Sequence, residues 1–204
     1  VVDEATIRAL SDAAVVAGVS LNLFLDLDGG MHRTGIAPGG RAVALYELLS
    51  TLPALHAGGL HMYDGHIHDT DLETRQKASD EAFGHVQEMR DALATAGLEV
   101  PTIVVGGTPT FPLHARRADV ECSPGTTVFW DFGYSTILPD LDFAPAVTLL
   151  TRVISRAAEN LSGPALGHYQ IAILALGFGV PTGRRHRRES FTRISSSWAQ
   201  SSEK

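Results

Sequence analysis

The feature that most narrows the choice of fold is a regular exchange between helical and extended apolar patterns. "DEATIRALSDAAVVA" (3–17) carries apolar side chains at helical spacing up to Gly18, and "VSLNLFLDLDGG" (19–30) follows as a buried strand ending in acids and glycines. "GGRAVALYELLSTLP" (39–53) predicts a helix and "LHAGGLHMY" (55–63) a second strand. "DLETRQKASDEAFGHVQEMRDALATAG" (71–97) predicts a long amphipathic helix, and "PTIVVGG" (101–107) a third strand. Two more strand candidates lie in "ADVECSPGTTV" (118–128) and "AVTLLTRVIS" (146–155). Such alternation calls for a parallel sheet under helical cover, either a (β/α) barrel segment or a doubly wound sheet. The polar, glycine-rich stretches come after the strands, the end of a parallel sheet where function sits.

Composition sets the class. The 204 residues are 44% hydrophobic and 19% charged, ordinary for a globular chain. The longest apolar run, "IAILALGFGV" (171–180), is about half of what a bilayer needs, so no membrane partner is expected. Cys122 is the only cysteine, which excludes an internal disulfide and any multi-cysteine metal site. With no leader pattern before the first helix, a cytoplasmic location is expected. Residues 1–156 hold 10 Lys+Arg against 20 Asp+Glu, while 157–204 hold 6 against 3. That acidic body would repel nucleic acid, and the basic run Arg184, Arg185, His186, Arg187, Arg188 reads as a solvated terminus before it reads as a nucleic-acid tail.

Three stretches after the strands carry candidate chemistry. "DLDGGMHRTG" (26–35) delivers Arg33, whose permanently charged fork suits a phenolate, carboxylate or phosphate; pairing with Asp26 or Asp28 is the structural alternative. "HMYDGHIHD" (61–69) holds Tyr63, aimed at the functional mouth or the core, and His61, Asp64, His66 and His68, which a metal-dependent hydrolase could use. "VVGGTPTFP" (104–112) and "ECSPGTTV" (121–128) expose peptide N–H groups beside hydroxyls, as an anion site built without lysine requires. Two such turns after neighbouring strands reinforce each other. Cys122, beside the second turn, reads as a small buried thiol rather than a nucleophile.

"DGGMHRTG", "LHMYDGH", "VVGGTPTFPLHA" and "VECSPGTTVFWDFGY…LPDLDFAPAVTLLTRVISR" occur in the order found in the D-threonine aldolase and D-serine dehydratase family, which the chain resembles over about residues 1–156. The resemblance implies an alanine-racemase-type (β/α) barrel that binds pyridoxal 5'-phosphate and acts on a small D-3-hydroxy amino acid by retro-aldol cleavage or elimination. It implies that Arg33 bonds the cofactor's phenolic oxygen and that Tyr63 lies near its ring. It also implies that Gly106, Gly107, Thr108, Ser123, Gly125 and Thr126 hold the phosphate. The family's Schiff-base lysine lies on an early barrel strand, whereas this chain has only Lys77 and Lys204, neither in that setting. The family's divalent metal ligands lie in a second, mostly β domain, so no metal residues are assigned here, and a homodimer is the assembly suggested for the full-length parent.

The expectation is therefore a partial barrel over 1–156, lacking the early strands and the β domain, inactive alone. A non-catalytic cofactor-binding barrel is the nearest alternative. Residues 157–204 turn basic, serine-rich and aperiodic, the mark of a disordered end or of a reading-frame change in the gene.

Overall fold

The computed structural model describes residues 1–146, 152–156 and 169–172. Contacts divide the chain into two units, the first made of Val1–Val128 and Tyr134–Phe143 and the second of Phe129–Gly133 and Ala144–Lys204. In the first unit the order is α1 (Glu4–Ala17), β1 (Leu21–Leu27), α2 (Gly40–Thr51), β2 (Leu55–Met62), α3 (Leu72–Thr95), β3 (Thr102–Val105), α4 (Phe111–His114) and β4 (Glu121–Cys122). A 3-10 turn (Thr126–Val128) follows β4, and α5 spans Phe132–Ile137. The four strands form one parallel sheet in the order β1-β2-β3-β4.

Helix starts follow local chemistry. The Asp3 carboxylate accepts the Thr6 N–H at 2.8 Å and Asp71 does the same for Thr74 at 2.8 Å, each satisfying an amide that the first turn would otherwise leave open. Pleating sorts the strand side chains. Leu25, Leu27, Leu60, Met62, Ile103 and Val105 are buried in one core with Leu45 and Leu49 of α2 and Phe83, Val86 and Met89 of α3. Asp26 and His61, in register with each other and with Val104, occupy the opposite face. Among the described residues no helix is long and apolar enough to cross a membrane.

The "GG" of β2 has a backbone reason. The β1–β2 register passes from Leu23↔Ala57 to Phe24↔Gly59, so Gly58 bulges out of the ladder. Gly59 adopts φ +137°, and a Cβ there would lie 1.8 Å from the Thr102 carbonyl oxygen of β3. Only a bare Cα lets the sheet close at this point.

Two strand expectations change. Of 118–128 only Glu121–Cys122 pairs with β3, because Pro124 has no N–H to donate and the chain turns there into its 3-10 segment. In the second unit β5 (Arg152–Arg156) pairs antiparallel with β6 (Tyr169–Ala172) in a separate two-stranded sheet, not in a continued parallel one. Antiparallel pairing needs no covering crossover helix, so a short segment of the tail can supply the partner. Residues 147–151, and the basic and serine-rich stretch from 173 on, lie outside the described residues.

Gly59→Ala is expected to lower unfolding free energy by about 1–3 kcal/mol from backbone strain alone. Urea titration measures this, and a midpoint equal to that of the parent chain contradicts the role given to the bare Cα.

Candidate functional site

Because β1 to β4 run parallel, the segments 28–34, 63–69, 106–110 and 123–126 all emerge at one edge of the sheet, the carboxyl edge. The last two are stapled together. The Ser123 hydroxyl donates to the Gly106 carbonyl at 3.0 Å, and the Thr126 N–H donates to the Thr108 hydroxyl oxygen at 3.0 Å. The Ser123 N–H continues the β3–β4 ladder to the Val105 carbonyl at 3.2 Å. The two turns singled out in the sequence thus form one surface.

Several amides there are engaged within the protein. The Gly106 N–H donates to the Met62 carbonyl at 3.1 Å, and the Gly107 N–H donates to Asp64 Oδ1 at 2.8 Å. Among the described residues the N–H groups of Thr108 and Gly125 have no acceptor, nor has the Thr126 hydroxyl a partner. Apart from its chain neighbours, no described atom lies within 4 Å of where a Gly125 Cβ would stand, so the space beside Gly125 is open, whereas Thr108 is buried. Gly106 has φ +89°, and a Cβ on it would meet the His114 ring at 2.8 Å.

Arg33 and Tyr63 form the other side of the group. Arg33 takes neither Asp26 nor Asp28; its guanidinium carbon lies 4.6 Å from the centroid of the Tyr63 ring. Asp28 is engaged by His32 Nδ1 at 2.7 Å and by the N–H groups of Gly30 and His32 at 3.0 Å each. Asp26 is engaged by His61 Nδ1 at 2.6 Å. The Tyr63 ring lies against Gly107, where a Cβ would come within 3.1 Å of it. Burial opposes ionisation of Asp26, yet the His61 hydrogen bond, that ring's charge and the Thr34 hydroxyl outweigh it and hold the carboxyl below its ordinary value of 3.8.

Sequence reasoning missed the layer beneath the loops. Asp64, His114, Thr110 and Ser79 are fully buried. Asp64 accepts from Gly107, from the Thr110 hydroxyl at 2.7 Å and from His114 Nε2 at 2.9 Å. The signal was present: Thr110 and His114 stand four apart across α4 and so share a face. Asp64 and His61 are committed to other partners, His66 and His68 are exposed, and no three metal-ligating side chains converge among the described residues. The hydrolase reading therefore has no assembled ligand set in the described structure. Burial pushes the Cys122 thiol up, Arg117 opposing and Asp64 adding to the shift, which keeps the sulfur a poor nucleophile.

Comparison with known proteins places the fold. Residues 1–131 match the family described as alanine racemase, N-terminal domain. The chain is 28% identical over 171 residues to the 3-hydroxy-D-aspartate aldolase of Paracoccus denitrificans, covering 78% of this chain and 44% of that protein. It is 30% identical over 152 residues to the D-threo-3-hydroxyaspartate dehydratase of a Delftia species, covering 70% and 38%. The crystal structure of D-threonine aldolase from Filomicrobium marinum superposes with a TM-score of 0.70 at 28% identity, over 78% of this chain and 44% of that one. The chain spans less than half the length of these relatives.

A carboxyl depressed in the fold adds stability above its unfolded value and gives it up as pH falls through the folded one. Asp26→Asn is expected to flatten the loss of unfolding free energy between about pH 5 and pH 2. Denaturant titration across that range checks it, and an acid slope equal to that of the parent chain contradicts it.

Proposed function

The chain belongs to the alanine racemase N-terminal domain family, and on that premise we propose that its first unit is the cofactor-binding part of a pyridoxal-phosphate-dependent lyase acting on D-3-hydroxy amino acids. The observation that carries the reading is the union of two donor-bearing turns, 106–108 and 123–126, beside an arginine that has no carboxylate partner among the described residues. Its relatives named as aldolases and as a dehydratase support the substrate class.

The residues present fit the group. Open space beside Gly125 and the unfilled N–H groups of Thr108 and Gly125, with the Thr126 hydroxyl, suit a phosphate. In this assignment Gly106, Gly107 and Ser123 shape the cradle through their internal hydrogen bonds while the other three touch the ligand. Arg33 presents a fork that steadies the phenolic oxygen, and Tyr63 packs beside the ring. Bound pyridoxal phosphate supplies a sink for the electron pair released at the substrate's Cα. Asp26 fixes the His61 ring through Nδ1 on the inner sheet face, so that Nε2 is the nitrogen open to exchange a proton.

Lys77 is 79% exposed on α3, 4.0 Å from Glu81, and is not placed at a strand end. We therefore assign to the 204-residue chain cofactor binding without turnover, and to a longer parent the lysine and metal ligands that complete a lyase. Cleavage, elimination or both remain reactions of that parent.

Gly125→Val places a branched side chain where a Cβ would meet no described atom beyond the chain neighbours within 4 Å. Affinity for pyridoxal 5'-phosphate is expected to fall about tenfold or more, a loss of ~1.4 kcal/mol per decade, with unfolding free energy within about 0.5 kcal/mol of the parent chain. Fluorescence titration reads the affinity. Unchanged binding refutes the placement of the phosphate.

A further inference from the structure

Beneath the 106–110 loop lies a polar chain that the cofactor contacts leave unused. Asp64 is wholly buried, and its three donors are the Gly107 N–H, the Thr110 hydroxyl and His114 Nε2. Arg117 Nη1 lies 2.9 Å from His114 Nδ1. A guanidinium only donates, so Nδ1 accepts and the imidazole proton sits on Nε2, directed at Asp64. The Ser79 hydroxyl lies 3.3 Å from the same Nε2 and accepts a share of that N–H. Arg117 is held in turn by Asp80 and by the face of Phe83, 4.4 Å from its centroid, both residues of α3.

A carboxylate one residue from an anion site would repel a dianion if it stood alone. Here three donors saturate it, and a guanidinium stands behind the imidazole. The bond from Gly107 also commits that amide to the protein, which leaves the Thr108 N–H as the next loop amide with no acceptor among the described residues. We propose that Asp64, held in place by the His114–Arg117 relay, is a positioning residue that sets the 106–110 loop for a phosphate and so makes the chain prefer a phosphate-bearing ligand to its dephosphorylated form. This inference rests on the cofactor reading above.

The relay also fixes which substitutions cancel. In Asp64→Asn the introduced NH2 meets a donor in either orientation, the Nε2–H of His114 or the Gly107 N–H, and the ring cannot change tautomer to relieve the first while Arg117 donates to Nδ1. Pairing that change with Arg117→Gln removes the obstacle: a glutamine carbonyl can accept from Nδ1–H, and Nε2 can then accept from the amide at position 64. The double variant is expected to recover what the single one loses.

The test measures binding of pyridoxal 5'-phosphate and of pyridoxal to the 204-residue chain by equilibrium titration, with inorganic phosphate as competitor. Asp64→Asn is expected to cut the ratio of the two affinities about tenfold, with pyridoxal binding changed less than about twofold. Arg117→Gln is expected to cut the ratio less, and the double variant to restore most of it. A purely structural weakening would lower both ligands in parallel, and that result overturns the proposal. So does a ratio that stays level or rises in Asp64→Asn, which would mean that removing a negative charge outweighs loosening the loop. Should Asp64→Asn fail to fold, Arg117→Gln, altered near the surface, carries the test, and a ratio like that of the parent chain refutes the relay. A parent chain with no preference for the phosphate form refutes the cofactor reading itself, an outcome distinct from variants that match a discriminating parent.

Discussion

Parallel pairing of β1 through β4 is the constraint from which the site follows. Strands that all run one way place every carboxyl end at a single edge, and each connection must leave from that edge before its helix returns the chain. The ladder reaches β4 with only two residues, yet that short pairing brings 123–126 beside 106–108, where side-chain and backbone hydrogen bonds join them. Loops without long strands behind them gain their precision from this mutual anchoring. The bare Cα of Gly59 is part of the same constraint, because the β2–β3 pairing begins there, with the Thr102 carbonyl oxygen 1.8 Å from where a Cβ would stand.

Above the sheet edge, polar groups fall into two layers with different tasks. Asp26, Asp28 and Asp64 are each engaged by nearby donors, so these three carboxylates are committed to shaping the protein. Among the described residues Arg33 has no carboxylate partner and the N–H groups of Thr108 and Gly125 have no acceptor, and in the proposed reading these groups take the ligand. That division gives the edge a net capacity for an anion even though the chain as a whole is acidic, with a formal charge of −7. Local geometry decides here, because hydrogen bonds at about 3 Å act far more strongly than screened charges a Debye length away.

Much of this was legible in the sequence. The first three strands and three long helices fall where periodicity and punctuation place them, since apolar alternation, Asp caps and helix-ending glycines are local signals. The meeting of the two hydroxyl-bearing turns could be anticipated because adjacent parallel strands must end side by side. The Asp64–His114 layer left only a partial mark, the spacing of Thr110 and His114, because Asp64 joins them from fifty positions away. The "HMYDGHIHD" cluster suggested metal because histidines and acids crowd there in sequence, but strand and loop send His61 to Asp26 and Asp64 to the glycine loop. The shortness of β4 was marked locally by Pro124, whereas the antiparallel pairing of β5 depends on a hydrogen-bond partner that no local pattern specifies.

The account stands or falls on where one ligand binds. A crystal structure of the 204-residue chain grown with pyridoxal 5'-phosphate measures it directly. The expected result is phosphate density beside Thr108, Gly125 and Thr126, with the ring along Tyr63 and its phenolic oxygen facing Arg33. Density at any other part of the molecule, or an ordered chain with those donors still open to solvent at saturating ligand, would contradict it.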